Sequence, residues 1–70
     1  MMPLTLANIG EQASIKKVGG REETRQFLAK LGFVPGSLVT IVTQNGGNVI
    51  VNVKESRVAI SREMASKIMI

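Results

Sequence analysis

Apolar residues recur along this chain with two different periods, and the change of period marks its elements. From Glu11 to Val18, Ala13 and Ile15 alternate with Gln12, Ser14 and Lys16, the period of a half-buried strand. Lys17-Val18 breaks that alternation by one residue, which predicts a bulge near Lys16. Before it, Leu4, Leu6 and Ile9 precede Gly10 and predict one irregular turn tucked against the body. After Gly19-Gly20 the period lengthens. Thr24, Phe27, Leu28 and Leu31 fall on one face at three- and four-residue spacing, so a helix over Arg21 to Leu31 is predicted to turn that stripe inward. Glu22 and Glu23 in its first turn and Lys30 in its last suit the helix dipole.

The helix has a defined stop. Gly32 stands where a left-handed residue ends helices, with Phe33 as its apolar partner, and Pro35 blocks continuation. Pro35-Gly36 suits the central pair of a type II turn. The rest reads as β-structure. Leu38 to Thr43 is a strand with Val39 and Ile41 on one face, Asn45-Gly46-Gly47 a hairpin turn, and Val49, Val51 and Val53 the alternating return strand. Glu55-Ser56 is expected to turn into Val58-Ala59-Ile60. A helical turn around Arg62 to Ser66, capped by Ser61, then leads to a last strand, Lys67 to Ile70. Five short strands and one helix make a mainly β chain, and such strands are expected to close into a small barrel that leaves no long edge open.

Composition narrows the chemistry. Seventy residues hold one core, so residues 1–70 are expected to form a single domain. The chain lacks Cys and His, which removes disulfides and the usual structural zinc set, and leaves its 44% apolar content to hold the fold. Without His, Cys, Asp, Tyr or Trp, no side chain has an ordinary pKa near neutrality. Ser37 and Ser61 have no histidine to activate them. The chain is therefore not expected to be an enzyme. Glu22 and Glu23 are adjacent and diverge on the helix, and Glu11, Glu55 and Glu63 are scattered. No metal site and no cofactor are expected. There is no secretory signal and no apolar run near the ~20 residues that span a bilayer, so the cytoplasm is the expected compartment.

The segment Leu31-Gly32-Phe33-Val34-Pro35-Gly36, after a short helix and before a β-hairpin, resembles the ferrous iron transport protein A (FeoA) family. Ile9-Gly10, Ala13, Ile15 and Gly20 lie at fitting distances before it. Arg57-Val58-Ala59-Ile60, Met64-Ala65 and Ile68-Met69-Ile70 resemble that family's closing strands. The hairpin Asn45 to Asn48 departs from the family pattern in lacking a proline before the third strand. The resemblance implies a five-stranded SH3-like barrel with the helix inserted between the first two strands, in the stand-alone form. It also implies an accessory role in bacterial ferrous iron uptake, at the inner face of the cell membrane. The implied partner is the ferrous iron transporter B, a membrane protein with a cytoplasmic GTP-binding domain.

A protein–protein contact surface is expected at the helix and its exit. Arg21, Arg25, Lys30, Phe33 and Val34 would form it, with Leu31, Gly32, Pro35 and Gly36 shaping it and Phe33 and Val34 partly exposed. Two other readings stay open. A net charge of +4 allows nucleic-acid binding, although only Phe27 and Phe33 could stack on bases, Phe27 is assigned to the buried stripe, and Lys16 and Lys17 are expected to point to opposite sides of a strand. A transition-metal-responsive module is the other. Peptide recognition of the proline-rich kind is set aside, since its groove needs Tyr and Trp.

Overall fold

Alternating β-branched residues build the larger sheet in a computed structural model that describes residues 1–70. Strands β1 (Gln12–Ser14), β3 (Leu38–Asn45), β4 (Asn48–Val53) and β5 (Ser56–Ser61) form an antiparallel sheet in the order β1-β3-β4-β5. Val39, Ile41, Val49, Val51, Val53 and Ile60 are buried on its inner face, as a period of two requires. Strand β3 runs to Asn45, past the expected end at Thr43. A register shift between Ile41 and Thr43 absorbs one extra residue and bends the strand. Gly46-Gly47 closes the first hairpin, with Gly46 at φ +60°. The second hairpin turns on Lys54-Glu55, one residue earlier than expected. Both residues are left-handed, at φ +48° and +65°.

The smaller sheet comes from a strand that does not stay whole. Ile15 donates its N–H to the Ser37 carbonyl at 2.9 Å, still beside β3, whereas Lys16 donates to Met69 at 2.7 Å. The chain thus changes sheets between these two residues. β2 (Lys17–Val18) pairs with β6 (Ile68–Met69), and Met2 exchanges N–H···O bonds with Ile70 at 2.9 and 2.8 Å. The expected strand Glu11 to Val18 with a bulge is therefore two strands in two sheets. The last strand is shorter than expected. Six strands replace the expected five, and neither sheet closes on itself. Between β5 and β6, α2 (Arg62–Ala65) is capped as expected, the Ser61 hydroxyl accepting from the Met64 N–H at 3.1 Å.

Helix α1 (Glu22–Leu31) occupies the chain between β2 and β3, with Arg21 as its N-cap. Only Leu28 of the predicted stripe is fully buried. Thr24 and Leu31 are half-buried, and Phe27 is 47% exposed, so its assignment to the core is corrected. The position goes to Phe33. Gly32 is left-handed at φ +107° and donates to the Ala29 carbonyl at 3.0 Å, and Phe33 donates back to Leu28 at 2.9 Å. That pair of bonds is a Schellman motif, which lays the residue after the glycine on the residue five positions earlier. Phe33 is accordingly 1% exposed, which overturns its expected place on the surface. Ser37 then donates to the Val34 carbonyl at 3.0 Å with Gly36 at φ +91°, the predicted type II turn. Twelve apolar residues from both sheets, both helices and the N-terminal turn form one core with no buried polar residue.

Candidate functional site

A groove of about 380 Å³ opens between the sheet crossover, α1 and the type II turn. Lys16, Lys17 and Val18 form one wall, and Arg25 and Ala29 of α1 form the other. Phe33, Val34 and Pro35 make its floor and end. Arg25 and Ala29 meet there because residues four apart share a helix face. Ala29 has only a methyl to offer, which leaves the space open. Phe33 lies beneath the surface because the helix cap pulls it inward, so it supplies the base of the recess rather than a protruding ring. The three cations lining the groove face no carboxylate within it.

The crossover at Lys16 is what assembles the cationic wall. In an unbroken strand Lys16 and Lys17 would point to opposite faces. Because β1 ends at Ser14 and β2 begins at Lys17, both lysines line the same groove, and the expected divergence is corrected. Of the predicted surface, Arg25, Phe33, Val34 and Pro35 come together here. Arg21 is exposed at the helix N-cap and Lys30 on the helix away from the groove lining. Leu31 packs against the core, buried Gly32 ends the helix, and exposed Gly36 sets the turn. Lys16, Lys17, Val18 and Ala29 were absent from the predicted set. Ala29 was readable from its spacing to Arg25, whereas the lysines depend on a sheet change that no local pattern announces.

Of three other recesses, one borders this groove and the largest lies apart from it. Lys16 also lines a groove of about 420 Å³ with Met1, Met2, Ala13, Ser14 and Ile70, so the two grooves meet at this one side chain. The largest recess, about 460 Å³, sits on the outer face of the main sheet and beside the Lys54-Glu55 turn. Its lining is mostly polar, and Lys54 and Glu55 offset each other in charge. No three or more His, Cys, Asp or Glu side chains gather to hold a metal ion, and every buried side-chain polar atom has a partner. No helix is long and apolar enough to cross a membrane.

Known proteins share this architecture. The family model for the FeoA domain matches residues 2–70. The chain is 36% identical over 70 residues to the "Putative Fe(2+) transport protein A" of Methanocaldococcus jannaschii, covering all of this chain and 85% of that one. Among solved structures it is similar to iron(II) transport protein A from Clostridium thermocellum, with a TM-score of 0.88 at 26% identity, covering 96% of this chain and 43% of that one. It is likewise similar to the zinc complex of Stenotrophomonas maltophilia FeoA, described as a prokaryotic SH3 domain protein, with a TM-score of 0.83 at 25% identity over 99% and 88% of the two chains. The architecture is thus mainly β and SH3-like.

Proposed function

The chain belongs to the FeoA family, which acts in ferrous iron transport, and from that premise we propose that it is a non-enzymatic adaptor of the membrane ferrous iron transporter B. In this reading it works in the cytoplasm at the inner face of the membrane, with its two sheets acting together as a small SH3-like barrel. The docking surface is the groove between Lys17, Arg25 and Val34. The observation that supports it is the coincidence there of an apolar base and three cations without a carboxylate. A concave apolar site with a few polar groups around it is the usual form of a recognition site.

An adaptor influences transport only through a difference in affinity. It must bind one conformation of the transporter more tightly than another, and its effect is limited to that difference. Nucleic-acid binding has less support. Phe27 is the one well-exposed aromatic ring, and it sits about 200° around α1 from Arg25, off the cationic groove.

Ferrous iron uptake tests the proposal in cells lacking the native chain. Wild-type protein is expected to restore uptake, and Lys17→Glu/Arg25→Glu, present at equal level, to fail. Full restoration both by the double variant and by Ala29→Met, which fills the groove, would move the docking surface elsewhere.

A further inference from the structure

We infer that the occupant of this groove is an acidic peptide segment of the partner that carries apolar anchor residues between carboxylates. The inference rests on the reading of the groove as a docking site and adds the chemistry of what docks. Lys16, Lys17 and Arg25 line the recess with no carboxylate among them, so any occupant meets uncompensated positive charge on both walls. Glu22, three residues before Arg25 on α1, is engaged with Gln26, whose amide donates to it at 3.4 Å on the exposed face. Between the cations, Val18, Ala29, Phe33, Val34 and Pro35 present only apolar surface. A polyanion without side chains would leave that surface wet, and an apolar segment without charge would leave the cations unmatched.

The shape favours a peptide over an anionic membrane. The volume, about 380 Å³, falls at the low end of the roughly 300–1,000 Å³ typical of ligand pockets, in a recess that opens broadly to solvent. Side chains from an extended or helical segment can fill such a recess and meet its apolar base and its cations together, whereas a headgroup layer offers the cations charge and leaves the apolar base wet. Lys16 lines both this groove and the apolar one beneath Met1, Met2 and Ile70. A segment anchored over Phe33 can therefore continue past Lys16 with a carboxylate beside it and rest its next apolar residue against Met2 and Ile70.

Short fluorescein-labelled peptides with the same two leucines, flanked by glutamates, glutamines or lysines, separate these terms. The glutamate peptide is expected to bind about tenfold more tightly than the glutamine peptide at low salt, the sum of three modest exposed ion pairs. That preference is expected to shrink as salt rises, with amide shifts confined to Val18, Ala29 and Val34 and their neighbours. Lys17→Glu/Arg25→Glu should remove the preference. Ala29→Met, which fills the groove and leaves every charge in place, should weaken all three peptides. Equal binding of the glutamate and lysine peptides, or shifts outside the groove, would overturn the inference. So would binding to phosphatidylglycerol vesicles in place of the glutamate peptide. Transporter binding unmoved by the charge reversals but lost in Ala29→Met would overturn the acidic occupant and leave docking in the groove intact. Peptide recognition without any transporter binding would instead overturn the choice of partner.

Discussion

Lys16 donates its backbone N–H to the Met69 carbonyl at 2.7 Å, and that bond stitches the two sheets together. It lies where the chain passes directly from the main sheet to the smaller one, one residue after Ile15 has bonded to Ser37. Lys16→Pro removes the donor and is expected to cost about 1–3 kcal/mol, the range for leaving a hydrogen-bond partner unpaired. Lys16→Gln keeps the N–H and is expected to unfold at nearly the wild-type urea concentration. Equal midpoints for the two variants would remove the crossover bond from the account.

The two phenylalanines should differ sharply. Phe33 is 1% exposed beneath the helix cap, and Phe33→Ala is expected to lose about 3–5 kcal/mol. A domain of this size has a total stability near the lower end of about 5–15 kcal/mol, so the variant should keep only about 0–2 kcal/mol and be partly unfolded at ambient temperature. Phe27 is 47% exposed, and Phe27→Ala should shift the urea midpoint only slightly. Comparable losses would show that the stripe faces inward through Phe27 after all.

Gly32 and Gly36 are both left-handed, yet their surroundings differ. A Cβ at Gly32 would stand 3.3 Å from both the Lys54 Cδ and the Val53 Cγ2, whereas one at Gly36 would meet nothing within 4 Å. Gly36→Ala is expected to cost only the backbone term of about 1–2 kcal/mol, lowering Tm by roughly 4–16 °C. Gly32→Ala adds crowding against the β4–β5 hairpin and should lower Tm further. The reverse order in a thermal melt would contradict the packing described at the helix exit.

The Lys54-Glu55 turn holds two consecutive left-handed residues that carry side chains. Such two-residue hairpin turns favour Asn-Gly, because glycine reaches positive φ without a Cβ penalty. Glu55→Gly is therefore expected to raise stability by about 0.5–1 kcal/mol, the relief of left-handed strain less the added freedom of the unfolded chain. A lower Tm would mean that the Glu55 side chain contributes more than its backbone strain costs.

What was legible in the sequence had local causes. Gly32 before Phe33, Pro35 before Gly36, and Ser61 three residues before Met64 each fix a cap or turn within a few positions, and all three form as read. The valines of β3 and β4 announce their buried face by alternation alone. What was not legible depends on distant partners. The break at Ile15–Lys16 exists because Ser37 and Met69, in different sheets, claim successive backbone groups. Phe27 and Phe33 compete for one place under α1, and helical spacing favours Phe27 until the cap bond from Phe33 to Leu28 is included. For the groove, Arg25, Val34 and Pro35 were readable from the helix and its stop, and the lysine wall was not.

An amide chemical-shift titration with the soluble cytoplasmic domain of the transporter, with and without guanine nucleotide, tests the adaptor claim most directly. Saturable shifts centred on Lys16 to Val18, Arg25 to Ala29 and Val34, stronger in one nucleotide state, are the predicted result. No saturable shift at near-millimolar domain, in either nucleotide state, would contradict it.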